Sequence, residues 1–317
     1  MESIKIAEDL RMSRIVIGIE RLGLEKTKKE CFSFIDSYLA SGGNCIDTAR
    51  LYGDGETDRV LGEWLRTSGR RGDVVLCTKG SHNDKRTGQA RLSAENIVAD
   101  LDDALRDLGI DHTDIHLLHR DNLSLPVSEI MPAVDRIVRS GKARAVGASN
   151  WTGPRIAEAN AFARHNGLTP FSVSQIQYSL AVTTPAATGD LTHIIMNDAE
   201  YGWYKDMSFP VMAYSAQARG YFIKRSKAEP IKRQAVLRFY DHFPENHRRS
   251  YRLEELAKET GYSVASLCVA YVLCAGLKSV AIITVSNLSQ VEDIFESDKI
   301  KLTDGQIGFL THGRAIQ

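Results

Sequence analysis

The sequence predicts an α/β protein: a closed (β/α)8 TIM barrel forming a single domain over residues 1–317, with long loops at the C-terminal face of its strands. Three observations point there. Short apolar runs alternate with amphipathic stretches along nearly the whole chain. Eight such runs are found, and most are continuous in apolar character, as parallel strands buried on both faces must be. The 317 residues also accommodate a barrel, which takes about 250, with room left for extended loops. No GxGxxG lies between the first run and the first amphipathic stretch, which weakens an open dinucleotide-binding sheet as the alternative.

Taken in order, the expected strands are Arg14–Ile19, Asn44–Asp47, Val74–Thr78, Asp114–His119, Ala145–Ala148, Val173–Gln177, Val211–Tyr214 and Val280–Thr284. The helical patterns between them run over Glu25–Ala40, Glu56–Thr67, Ser93–Leu108, Val127–Ser140, Pro154–Asn166 and Arg252–Ala275. Ser93 has the chemistry of an N-cap, with Glu95 in the first turn, and Gly109 stands where a left-handed residue ends a helix. Gly42-Gly43 reads as a helix stop, not a phosphate loop. Thr183–Ser208 and Tyr221–Ser250 are irregular and are expected to form mouth loops or a short extra helix.

Composition narrows the function. Lys+Arg and Asp+Glu number 40 each, 43% of residues are hydrophobic and 25% charged, which argues against disorder and against a nucleic-acid partner. No run approaches the roughly 20 apolar residues of a membrane span, and Met1–Leu10 lacks the pattern of a secretory signal. Five cysteines without a CxxC pair read as small buried hydrophobes. A cytoplasmic location is expected.

The chemistry should lie at the C-terminal ends of the strands. Asp47, Lys79 and His119 follow strands two, three and four, and Tyr52 lies five residues beyond Asp47. A phenol, an ammonium, a carboxylate and an imidazole form a proton-transfer set. A free phenol titrates near pH 10; bringing it down two units takes roughly 2.7 kcal/mol, which a nearby ammonium is expected to supply. His116 and His119 together suggest a metal, but residues three apart on a strand face opposite ways, so His116 is expected to face a helix and no metal is expected. Arg70-Arg71 and His247-Arg248-Arg249 read as solvated loop charge.

These residues are similar to signatures of the aldo-keto reductases. Gly43-Asn44-Cys45-Ile46-Asp47-Thr48-Ala49-Arg50-Leu51-Tyr52-Gly53 resembles the family's G.N..DTA..YG block, and Val75–Lys79 its strand-three lysine. Asp114–His119, Val146-Gly147-Ala148-Ser149-Asn150, the strand around Gln175, and Ala213-Tyr214-Ser215 resemble four further blocks, in the family's order. The resemblance implies carbonyl reduction with NADP(H) or NAD(H), without a metal. Tyr52 would be the general acid, Lys79 and Asp47 would tune it, and His119 would orient the carbonyl. Ser149, Asn150 and Gln175 would hold the nicotinamide carboxamide, Tyr214 would stack on the ring, and Ser215, Gln217 and Gly220 would meet the pyrophosphate. Ser286, Asn287 and Gln290 stand where the adenosine end is bound. Arg120 and Trp151 are candidate substrate contacts, with Arg120 and Asn122 favouring a small polar carbonyl or sugar.

Two departures stand out. The family's AYSPL is Ala213-Tyr214-Ser215-Ala216-Gln217 here, and no cation follows strand eight until Lys299. A missing charge-assisted contact to a 2′-phosphate costs on the order of 1.5–3 kcal/mol, so NADH use is open unless Arg219 supplies the charge. A nucleotide-binding regulatory subunit of the same fold, resembling channel β-subunits, retains the same tetrad and is the alternative. A metal-dependent barrel hydrolase is a third, more distant one.

Overall fold

The computed structural model describes residues 1–20, 25–84, 86–284 and 289–314. A hairpin of β1 (Ser3–Ala7) and β2 (Leu10–Ser13) opens the chain, pairing antiparallel with Ser3 opposite Ser13. Eight strands then form a closed barrel in chain order: β3 (Ile15–Gly18), β4 (Cys45–Asp47), β5 (Val75–Gly80), β6 (Thr113–Leu118), β7 (Ala143–Ser149), β8 (Val173–Gln177), β9 (Val211–Tyr214) and β10 (Ser279–Ile283). Each lies within one or two residues of its predicted span. The hairpin was not foreseen, because its charged and apolar residues alternate over too short a run to compete with the strand that follows.

The described residues group into two compact units, 3–175 and 1–2 with 176–317. In the first, β3 to β7 are almost entirely buried, and all six residues of β5 are. The helices Lys28–Ala40, Glu56–Ser68, Ala94–Leu108, Val127–Arg139 and Gly153–His165 follow the strands in turn. The anticipated caps form: Ser93 accepts from the Asn96 N–H, and Gly109 ends that helix at φ 67°. The register sets Asp47 beside Cys77, Lys79 beside Leu117 and Ser149 beside Gln175. Gly80 is needed for close approach: a Cβ there would stand 2.8 Å from Asp100 Cβ and 3.2 Å from His116 Nε2.

In the second unit, β9 and β10 pair in parallel with Ser279 opposite Val211. The helix expected over Arg252–Ala275 is two helices, Pro244–Thr260 and Val264–Cys274. Gly261 ends the first at φ 77°, and the Ser263 side chain caps the second by accepting from the Ser266 N–H. The amphipathic pattern of the first runs straight into the apolar run of the second, with the stop and the start only three residues apart. Val264–Cys274 is apolar all round, and every residue from Ser266 to Leu273 is buried, as a helix without a polar face must be. The irregular stretches contain the helices Asp198–Met207 and Tyr221–Ser226 and a single wide π turn, Leu237–Asp241. A C-terminal helix, Asp304–His312, starts from a Thr303/Gln306 capping box. Among the described residues no helix is long and apolar enough to cross a membrane, and all five cysteines are free thiols.

Candidate active site

The unit 3–175 carries Asp47, Lys79, His119, Ser149 and Asn150 at or just beyond the ends of neighbouring strands, Tyr52 in the turn after β4, and Gln175 within β8. Asp47 is the last residue of β4, and Lys79 is the last but one of β5. The loop after β4 runs along β5, with the N–H groups of Thr48 and Arg50 donating to the carbonyls of Cys77 and Lys79 at 2.9 and 3.0 Å. The Tyr52 N–H closes the turn on Ala49 O at 2.9 Å. Gly53, Asp54 and Gly55 all have positive φ, which swings the chain sharply into the helix Glu56–Ser68. The result places the Lys79 ammonium 5.2 Å from the Tyr52 ring centroid.

Lys79 Nζ is 2.6 Å from each Asp47 carboxylate oxygen, and neither residue is more than 4% exposed. The Gln175 amide also donates to Asp47 Oδ1, at 2.8 Å. Burial works against the Lys79 charge, but Asp47, and then Tyr52, hold its amine above the ordinary lysine range.

Tyr52 departs from expectation. Desolvation pushes its phenol above the ordinary value; Lys79 pulls it down, and Asp47 and Glu20 oppose that pull. The ammonium's attraction is real, but in the resting site desolvation outweighs it, and the Asp47 carboxylate in contact with the ammonium adds a smaller repulsion. Asp58 is fully buried and pushed up to about 6 by desolvation, with the Thr48 hydroxyl donating to Oδ1 at 2.5 Å.

His119 follows β6, held by its N–H on Gly80 O at 2.8 Å. Its ring stands 6.2 Å from that of Tyr52, at 83°. It stands 4.9 Å from the ring of His82, at 85°. His82 was missed by sequence reasoning; it lies three residues beyond Lys79, in the loop that follows β5, and that spacing was the available signal. As its strand parity requires, His116 faces away, toward the helix Ala94–Leu108: Nδ1 lies 3.0 Å from Thr78 Oγ1, and Nε2 and Asp100 both crowd the space above Gly80. Burial lowers His116 to about 4. Among the described residues no cluster of three or more His, Cys, Asp or Glu has the arrangement to hold a metal.

Asn150 sits at φ 58°, its N–H on Gln175 O at 2.9 Å and its side-chain amide on Ser149 Oγ at 3.0 Å. Arg120 is folded back, its guanidinium donating to His119 O at 2.8 Å. Trp151 is fully buried, donates to Arg120 O at 3.1 Å, and packs on Phe171 and the Arg155 guanidinium at 5.4 and 5.5 Å.

In the unit containing 176–317, Tyr214 ends β9, and its ring is 6.1 Å from that of His193. Beyond it the backbone is contorted: Ser215, Ala218, Arg219 and Gly220 all have positive φ. The turn closes on itself, with the Ala218 N–H donating to Ser215 O at 2.7 Å and the Gly220 N–H to Gln217 O at 2.9 Å. The Gln217 side chain donates to Ala265 O at 3.4 Å, and the Arg219 guanidinium lies 4.7 Å over the Phe239 ring. Ser286 and Asn287 lie outside the described residues, and Gln290 falls in the backbone of the helix Ser289–Glu296.

The chain belongs to the aldo/keto reductase family, which it matches over residues 14–312. The 6-dehydroglucose reductase of Agrobacterium fabrum is 26% identical over 326 residues, covering 100% of this chain and 98% of that protein. The aldo-keto reductase yakc [NADP(+)] of Schizosaccharomyces pombe is 26% identical over 276 residues, 82% and 75% of the respective chains. A solved thermostable aldo-keto reductase, crystallised with the inhibitor epalrestat, superposes with a TM-score of 0.75 at 20% identity, covering 98% and 99%. The fold is therefore the (β/α)8 barrel of that family, and the relatives support an oxidoreductase. The family's general chemistry is reduction of small carbonyl compounds with NAD(P)H.

Proposed function

We propose that this protein reduces a small polar aldehyde, ketone or sugar carbonyl, or oxidises the corresponding alcohol, with Tyr52 as general acid and base. The observation that carries the reading is the buried Lys79–Asp47 pair, bidentate at 2.6 Å and set against the Tyr52 ring. Within each unit, the residues present suit part of a nicotinamide dinucleotide. Buried Ser149, Asn150 and Gln175 offer amide and hydroxyl groups suited to a carboxamide. The left-handed turn Ser215–Gly220, which carries the Ser215 hydroxyl, the Gln217 amide and Arg219, is the segment suited to a pyrophosphate. Tyr214 offers a ring for stacking. When bound, the reduced cofactor supplies a hydride to the carbonyl carbon.

The protein's own part is proton chemistry. With its phenol above the ordinary range, Tyr52 is protonated at neutral pH and is the acid that delivers a proton to the carbonyl oxygen. As negative charge grows on Tyr52, the Lys79 ammonium meets it; at about 4 Å and an effective dielectric near 20, such a contact is worth about 4 kcal/mol. The His119 imidazole hydrogen-bonds the carbonyl oxygen and orients it. The relative's name, together with Asn122 on the loop after β6, favours a polyhydroxylated substrate. Arg219, fixed over Phe239 next to the left-handed turn, and a relative named for NADP(+), favour NADP(H).

The test is fluorescence titration with NADPH and NADH, followed by turnover on a panel of aldehydes and sugars. Tyr52→Phe should lower kcat by about 10²–10⁴-fold while leaving cofactor affinity unchanged. Full turnover by that variant overturns the assignment of the acid, and nucleotide binding with no turnover by the wild type favours the regulatory-subunit reading.

A further inference from the structure

The histidine at the edge of the tetrad carries an inference of its own. His119 presents its ring to two neighbours, Tyr52 at 6.2 Å and His82 at 4.9 Å. The second contact is the closer, and at 85° it has the edge-to-face geometry that aromatic pairs prefer. His82 is itself well anchored. Its Nδ1 lies 2.8 Å from Asn83 O, and since a carbonyl only accepts, Nδ1 is the donor. The preceding residue, Ser81, is held at φ 61° with its N–H donating to Asp100 Oδ2 at 2.7 Å. Asp100 is gripped in turn by the Arg91 guanidinium. A strained turn tied to a neighbouring helix thus delivers the half-buried His82 imidazole against the buried one of His119.

We infer that His82 is a positioning residue for His119: its ring braces the His119 imidazole so that the nitrogen facing the substrate carbonyl keeps one orientation. The inference rests on the carbonyl-reduction reading, in which His119 is the orienting group. The brace is steric and quadrupolar, so an aromatic ring without nitrogens should replace it.

The experiment compares His82→Ala and His82→Phe in the full chain. Steady-state kinetics on a carbonyl turned over by the wild type are read beside the imidazole carbon–proton resonances of histidine-labelled protein, with the His119 signal assigned by its loss in His119→Asn. His82→Ala should lower kcat/KM about 3- to 10-fold, chiefly through kcat, with the NADPH dissociation constant unchanged. It should also shift the His119 resonance while leaving those of distant histidines in place. His82→Phe should recover kcat to within about twofold and return the His119 signal to a single position. An unmoved His119 resonance in His82→Ala, or a His82→Phe variant as impaired as His82→Ala, overturns the inference. Should the wild type reduce no carbonyl, the functional reading fails on that assay, and the resonance comparison still decides whether His82 sets the His119 ring.

Discussion

Lys79 and Asp47 form a bidentate ion pair at 2.6 Å with the lysine wholly out of solvent, on adjacent parallel strands. Such a pair is maintained only as a pair. Each charge has lost its water, and each is the other's main compensation.

Lys79→Met is therefore expected to damage stability as well as activity. It leaves Asp47 buried beside the Gln175 amide without a counter-charge in contact, and should cost about 3–5 kcal/mol in urea unfolding. The double variant Lys79→Met, Asp47→Leu should regain part of that stability while staying inactive. A Lys79→Met protein as stable as the wild type would show that water reaches the pair.

Trp151 separates packing from substrate contact. It is fully buried against Phe171 and Arg155, so Trp151→Ala should cost about 3–5 kcal/mol, read from the unfolding midpoint in denaturant. A Trp151→Ala variant of native stability whose KM alone rises would place the indole on the substrate.

His116 and Asp58 give the acid limb its shape. His116 is lowered from 6.5 to about 4, so as pH falls the unfolded chain takes up the proton first. The stability it contributes is complete above about 6.5 and is lost as pH falls toward 4, on the order of 3 kcal/mol in all. Asp58 has the opposite sign. Raised from 3.8 to about 6, it favours the folded state at low pH, and that contribution is lost as pH rises from 3.8 through 6. His116→Gln should flatten the fall in stability between pH 6.5 and 4, and Asp58→Asn should steepen it. Urea unfolding at stepped pH reads both slopes, and parallel curves for wild type and His116→Gln would contradict this account.

Gly80 is the tightest point between β5 and the helix Ala94–Leu108. A methyl there meets Asp100 Cβ at 2.8 Å, and overpacking of this kind costs about 1–3 kcal/mol. Because Gly80 adjoins Lys79, Gly80→Ala should also lower kcat, while Gly88→Ala, where a Cβ meets nothing within 4 Å but φ is 72°, should affect stability only. Equal activity in Gly80→Ala and wild type would show that the helix yields without moving the strand.

The sequence by itself determined the eight strands, the helices that follow them, and the positions of Asp47, Tyr52, Lys79 and His119 at strand ends. Strands buried on both faces must be written as apolar runs, and caps such as Ser93 and Gly109 act within a few residues, so both are legible locally. The split at Gly261 left a local trace too, a glycine followed by the Ser263 cap between a charged amphipathic helix and an apolar one. The tertiary structure alone decided the rest. Gln175 reaches Asp47 across 128 positions of chain, His82 meets His119, and Trp151 turns inward, none of which leaves a local trace. The direction of the Tyr52 phenol was likewise decided there: it is a balance between desolvation, which raises it, and Lys79, which lowers it. A list of residue types contains the charges but not the burial, and here burial wins.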